Sequence, residues 1–97
     1  MLRATARQAS LRRINPVSFL YVYILQSESD PESFYVGSTE DLKNRLLKHN
    51  AGEVPHTSKL RPWRIKTAIA FTNEPQARNF ERYLKTASGR AFAKKRL

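Results

Sequence analysis

The sequence predicts a small α/β (α+β) domain, and three observations carry that prediction. Strand-like runs with period-two alternation lie at residues 19–25, 34–39 and 63–71. Helix-like runs, with apolar residues three and four apart, lie at 41–49 and again beyond residue 73. Clusters of Ser, Asn, Gly and Pro separate the runs, so strands and helices interleave along the chain. A length of 97 residues is right for one domain with a modest core.

Residues 1–17 read as a basic N-terminal tail. Arg3, Arg7, Arg12 and Arg13 have no acidic neighbours, and Pro16 closes the segment. The run loosely resembles an organelle transit peptide and reads equally well as a flexible basic arm that adds phosphate contacts. The domain proper is assigned to 18–97.

The first strand runs from Phe19 to Leu25. Alternation puts Tyr21 and Tyr23 on one face with Phe19 and Leu25, and Leu20, Val22 and Ile24 on the other. Gln26 to Ser33 is a loop of turn formers and charges. The second strand, Phe34 to Thr39, carries Tyr35, Gly37 and Thr39 on one face. If the two strands pair as an antiparallel hairpin, Tyr23 and Tyr35 lie side by side, and Gly37 opens a gap where a ligand would be sought.

Thr39 is placed to cap the helix that starts near Glu40 and Asp41. The step of roughly 100° per residue brings Leu42, Arg45, Leu46 and His49 to one face and sends Lys43, Asn44 and Lys48 to water. Asn50, Ala51 and Gly52 supply the stop. A second loop, Glu53 to Pro62, carries His56, Thr57, Ser58, Lys59 and Arg61.

In the third strand, Trp63 to Phe71, alternation predicts that Trp63, Ile65, Ile69 and Phe71 share a face, with Arg64, Lys66, Ala68 and Ala70 opposite. Thr72 or Asn73 then caps a second helix with Pro75 in its first turn. Its apolar stripe is Ala77, Phe80, Leu84 and Ala87. Glu81 flanks that stripe, and Arg78, Arg82 and Lys85 take the wet side. After Ser88 and Gly89, the segment Arg90–Leu97 adds a last turn or two of helix with Phe92 tucked in.

Composition narrows the partners. Eighteen Lys and Arg against eight Asp and Glu give a net charge of +10, which favours a polyanion, most commonly nucleic acid. Beyond Val54 the only acids are Glu74 and Glu81, set among eleven Lys and Arg. The absence of cysteine excludes disulfides and thiolate metal sites. No apolar run approaches the roughly 18 residues that span a bilayer, so a soluble, cytoplasmic protein without a membrane partner is expected.

Taken singly, the chemistry-bearing residues have ordinary explanations: half-buried strand tyrosines, a solvated helix arginine, an incidental histidine. Glu81 is harder to dismiss, because a carboxylate beside a core needs a partner or a metal. Together they suit phosphodiester hydrolysis. That reaction needs a cation for the phosphoryl oxygens, a base for water, and commonly a divalent metal. Arg45 fits the first role and Glu81 the third. A tyrosine serves as base if nearby cations lower its pKa from about 10.

These residues carry a family resemblance. Tyr21-Val22-Tyr23, Tyr35-Val36-Gly37, Arg45, His49 and Glu81, with Pro62-Trp63 and Gly89-Arg90-Ala91-Phe92, resemble the signature of the GIY-YIG nuclease superfamily, from about Phe19 to Leu97. The pattern looks closest to small stand-alone bacterial members related to the nuclease domain of the excision-repair endonuclease. The resemblance implies a three-stranded antiparallel sheet flanked by helices, and DNA cleavage with one Mg2+ or Mn2+ ion.

By that likeness Tyr23 is the favoured base, Tyr35 its companion, Arg45 the phosphate clamp, Glu81 the sole protein ligand of the metal, and His49 an aid to proton transfer. His56 or Lys59 matches a further polar loop position. Two departures stand out: Tyr21 occupies the place of the name glycine, and no asparagine follows Asn79. DNA is the expected partner through backbone-dominated contacts, for which Gly37, Lys48, His56, Lys59, Arg61, Arg64 and Lys66 are the candidates. The alternatives are a non-catalytic nucleic-acid-binding module of the same fold and an RNA- or ribosome-associated protein. The oligomeric state is not legible.

Overall fold

A computed structural model describes residues 18–97, so the basic tail expected over 1–17 lies outside the described residues. The elements are β1 (Leu20–Ser27), β2 (Phe34–Thr39), α1 (Leu42–Asn50), a 3-10 helix (Pro55–Leu60), β3 (Trp63–Phe71), α2 (Glu74–Leu84) and α3 (Ala87–Arg96). The three strands form one antiparallel sheet in the order β2-β1-β3, the expected sheet flanked by helices. No helix among the described residues is long and apolar enough to cross a membrane.

β1 is central because both of its faces are apolar. Val22 and Ile24 pack on Ala77 and Leu84 of α2, with Val36, Phe71, Phe80, Ala93 and Leu97 around them. On the other face Tyr23 and Leu25 pack with Trp63, and Leu42 and Leu46 of α1 close over them. A strand buried on both sides needs ladder partners on both edges as well. β1 runs to Ser27, two residues past its expected end, because β3 pairs with it that far. The buried Ser27 hydroxyl donates to the Leu60 carbonyl at 2.7 Å and accepts from the Asp30 amide at 2.9 Å, which ties down the hairpin loop.

The alternation expected in β3 breaks at a bulge. Ile24 faces Thr67 and Leu25 faces Ile65, so Lys66 is an extra residue in β3. Trp63 and Ile65 therefore join the Tyr23 face, while Phe71 packs on the Val22 face. The single shared face predicted for Trp63, Ile65, Ile69 and Phe71 does not exist, because one inserted residue inverts the pattern beyond it.

Helix ends follow local chemistry. Thr39 does not cap α1: its hydroxyl accepts from the Asp41 amide at 3.1 Å, and Asp41 is the cap, accepting from the Asn44 amide at 3.1 Å. The chain leaves α1 through Gly52, whose φ of 81° lies in the left-handed region. Asn73 caps α2, accepting from the Gln76 amide at 2.8 Å.

α2 stops at Leu84, so Ala87 is not in its stripe. Thr86 caps α3 by accepting from the Gly89 amide at 3.0 Å. Gly89, after which the last helical segment was expected to begin, instead lies buried inside α3, where a Cβ would collide with the Tyr83 carbonyl. Phe92 is only partly covered, leaning on Phe80 and Tyr83.

The obstacle at Gly89 is backbone that cannot swing aside. Gly89→Ala should therefore cost about 1–3 kcal/mol, the range for overpacking, read as a lower urea midpoint with unchanged slope.

Candidate active site

Pairing places Tyr23 directly across from Gly37. A Cβ on Gly37 would stand 2.6 Å from the Tyr23 hydroxyl and 2.8 Å from its ring carbon Cζ. The gap expected at Gly37 is thus taken by the Tyr23 phenol itself. Gly37 contributes room for a side chain of its own protein and offers no ligand pocket. Tyr35 lies beside it, with ring centroids 6.4 Å apart.

From that position the Tyr23 hydroxyl meets His49 Nε2 at 3.0 Å. His49 is 0% exposed and Tyr23 2%. The Tyr35 ring closes on the imidazole edge-on, 5.0 Å away. On the far side His49 Nδ1 lies 2.8 Å from Thr57 Oγ1, and Thr57 donates to the Val54 carbonyl at 3.2 Å.

Thr57 is also 0% exposed, and sequence reasoning left it unremarked among the loop polar residues. Its only advance signal was a histidine on the apolar side of a helix, which must find a partner. His56, the alternative loop residue, is exposed and forms no part of this chain of bonds.

Two elements supply the charges. Arg45 sits half-buried on α1, and among the described residues every ion pair belongs to Glu74 or Glu81, so its guanidinium has no carboxylate partner. Glu81, with 17% of its side chain exposed, reaches from α2 to β2. Its Oε1 accepts from the Ser38 hydroxyl at 2.7 Å, one residue from Gly37, and its Oε2 accepts from Lys85 Nζ at 3.1 Å.

Arg78 donates to Ser38 at 2.8 Å and lies 3.8 Å from Oε1. Arg78 and Lys85, assigned from sequence to the wet side of α2 opposite its apolar stripe, flank Glu81 at the helix spacings of three and four. Ser38 was not anticipated.

Electrostatics reverse one expectation. Burial pushes the Tyr23 phenol up to about 12. The neighbouring Tyr35 and Glu81 add to the rise, and Arg45 alone opposes it. A phenolate favoured by nearby cations is not what the geometry provides, because desolvation outweighs one guanidinium.

His49 is held below the ordinary imidazole value by burial and then by Arg45. Burial raises the Glu81 carboxyl, but the hydrogen bonds from Ser38 and Lys85 and the charges of Lys85 and Arg78 outweigh it and keep the group below the ordinary carboxylate value.

Glu81 is the one acid at this site that could hold a metal. Among the described residues no three His, Cys, Asp or Glu side chains cluster. The donor set fits a hard cation all the same: an ionised carboxylate retains lone pairs beyond those given to Ser38 and Lys85, and Mg2+ commonly takes one or two carboxylates and fills the rest with water and phosphate oxygens.

The remaining candidates for nucleic-acid contact are exposed. Arg61 lies over Gly52 and donates to the Ser58 carbonyl at 2.7 Å, and Arg64 donates to the Gln26 side chain. Lys48 and Lys59 point to solvent. Lys66 lines a groove of about 800 Å³ with Phe34, Lys85, Arg90 and Lys94, and Tyr35 stands at its wall.

His49 gives a pH signature. Its folded pKa lies below the unfolded value of about 6.5, so the unfolded chain takes up this proton first. The stabilisation is complete above that value and is lost as pH falls through it. Urea midpoints should drop as pH falls below about 6.5, and His49→Gln should flatten that part of the curve.

The chain is 44% identical over 71 residues to the structure-specific endonuclease subunit SLX1 of Scheffersomyces stipitis, covering 66% of this chain and 21% of that protein. Identity to the subunit of the same name from Meyerozyma guilliermondii is 48% over 61 residues, covering 57% and 19%. For that of Talaromyces marneffei it is 39% over 80 residues, covering 75% and 21%. The chain spans about a fifth of the length of these fungal relatives. The family model for the GIY-YIG catalytic domain matches residues 19–96, and the chain belongs to the GIY-YIG family of nuclease domains.

Proposed function

We propose that this domain is a metal-dependent endonuclease that hydrolyses DNA phosphodiester bonds, with Tyr23, Tyr35, Arg45, His49 and Glu81 as its working residues. The observation that carries the reading is the buried 3.0 Å contact between Tyr23 and His49, set beside an arginine with no carboxylate partner.

Tyr23, pushed up to about 12, stays protonated at neutral pH and offers no phenolate to act as base alone. It is well suited to pass a proton on. As water attacks phosphorus, the water O–H bond breaks toward the Tyr23 oxygen while the Tyr23 O–H bond breaks toward His49 Nε2. Tyr23 ends as neutral phenol, His49 as imidazolium, and the hydroxide so generated forms the new P–O bond while the bond from phosphorus to the leaving oxygen breaks, that oxygen taking its proton from solvent. The full charge of a phenolate never develops in the low-dielectric pocket.

Tyr35 holds the imidazole by its edge-on contact. Arg45 neutralises charge growing on the non-bridging oxygens, for which its planar fork of donors is suited. Glu81, oriented by Ser38, would hold one Mg2+ or Mn2+ ion, which when bound supplies Lewis-acid stabilisation of the leaving oxygen.

The exposed Lys48, His56, Lys59, Arg61, Arg64 and Lys66 offer backbone contacts that carry no base preference. The groove beside Tyr35 provides a cationic exit for one strand. The fungal relatives are named as subunits of structure-specific endonucleases. By extension we place this chain on DNA that departs from plain duplex, in repair or recombination, with a further subunit or domain supplying selectivity.

One observation favours a second reading, a module of this fold that binds without cutting: Lys85 already occupies Glu81 at 3.1 Å. That reading requires metal-independent, salt-sensitive DNA binding without cleavage.

Purified protein with supercoiled plasmid and Mg2+ or Mn2+ separates the two. Nicking is expected, lost on chelation, and reduced at least about 100-fold by Glu81→Ala and by Tyr23→Phe. Equal nicking by Glu81→Ala would refute the metal role, and DNA binding without nicking by the wild type would establish the second reading.

A further inference from the structure

We propose that Thr57 is a positioning residue that fixes His49 in the tautomer with its proton on Nδ1, leaving Nε2 bare to receive the proton of Tyr23. The assignment comes from counting donors and acceptors among three side chains almost closed off from solvent. Tyr23, His49 and Thr57 are each at most 2% exposed, so every polar hydrogen among them must find a protein acceptor.

In the tautomer proposed, three hydrogens meet three acceptors. Tyr23 O–H points to Nε2 at 3.0 Å, Nδ1–H to Thr57 Oγ1 at 2.8 Å, and Thr57 O–H to the Val54 carbonyl at 3.2 Å. In the opposite tautomer Nε2–H would donate to the Tyr23 oxygen. The phenolic hydrogen would then need another acceptor, and among the described residues His49 is the only hydrogen-bond partner of that hydroxyl. An unmatched buried donor costs about 1–3 kcal/mol, which sets the direction of the whole chain.

Thr57 is itself held through both its amide and its carbonyl. Its amide donates to the Val54 carbonyl at 3.0 Å. Its carbonyl accepts from Trp63 Nε1 at 2.8 Å. Trp63 is in turn locked to Asn50, whose side chain accepts from the Trp63 amide at 2.7 Å and donates to the Trp63 carbonyl at 3.0 Å. A hydroxyl clamped in this way cannot turn to follow the imidazole, so the imidazole follows the hydroxyl.

The catalytic consequence rests on the proposed relay from Tyr23 to His49, whereas the tautomer does not. Both are measured on the whole chain. The protein has two histidines, His49 and His56, so nitrogen-15 spectra of the imidazoles at neutral pH can be assigned with a His56→Gln variant. His49 should show a protonated Nδ1 and a bare Nε2.

Thr57→Val, which keeps the shape and removes the hydroxyl, should lose that single signature and lower kcat for plasmid nicking at least about tenfold with KM little changed. Thr57→Ser should restore both. A wild-type His49 protonated at Nε2 would overturn the proposal even if Thr57→Val fails to fold. So would a folded Thr57→Val that keeps the Nδ1 proton and full kcat. Absence of nicking by the wild type would defeat the nuclease reading and leave the spectral arm standing.

Discussion

The absence of a side chain at Gly37 is the constraint from which the site is assembled. Tyr23 and Gly37 face each other across the first ladder, and any Cβ at 37 would stand within 3 Å of the phenol. Only with that space open can Tyr23 lie down over β2 and put its hydroxyl on His49. The same register puts Ser38 on the reverse face of β2, where it reaches Glu81. One pairing thus brings helix α1 and helix α2 to opposite sides of a single point on an edge strand. The charges of Arg45 and Glu81 are both felt at the Tyr23 hydroxyl as a result.

Burial makes the arrangement rigid as well as costly. An imidazole, a phenol and a hydroxyl withdrawn from water each lose hydration that only a protein partner can restore. Tyr23, His49, Thr57 and the Val54 carbonyl restore it in series, so removal of any one leaves a neighbour unmatched. This dependence explains why the 3-10 helix is built as it is. Its turn has the task of presenting the Thr57 hydroxyl beneath α1, while Trp63 and Asn50 fix the distance between that turn and the sheet.

Much of this was legible in the sequence, and what was not has a common cause. The bounds of β2 and β3 were readable to the residue, and the helical period placed Arg45 and His49 beside the apolar stripe and Glu81 beside Ala77. Those are one-dimensional regularities. The bulge at Lys66 is a property of a pair of strands, invisible in either strand taken singly, and it inverted the faces assigned to Trp63 and Phe71. Gly37 was rightly picked as a gap, but whether a gap is filled depends on what stands across from it. Thr57 lay eight residues beyond its partner, in a stretch whose 3-10 turns have no periodic signal. Gly89 was placed just ahead of the last helical segment, with no role of its own. Its reason here is a carbonyl from the preceding helix.

The surroundings of Glu81 show how the domain tolerates a carboxylate near its core. Burial alone would favour the protonated form. Ser38, Lys85 and Arg78 together reverse that preference, so the group is anionic at neutral pH. They do so unequally. Ser38 is a short, partly buried hydrogen bond that sets orientation, whereas Lys85 and Arg78 are more than half exposed and screened by solvent. Exposed pairs of this kind contribute about 0–1 kcal/mol each. The carboxylate is therefore aimed firmly and closed off weakly. The proposed role, a site charged while empty yet open to a cation and a phosphate, calls for that combination. A tight buried ion pair in the same place would stabilise the carboxylate and close the site.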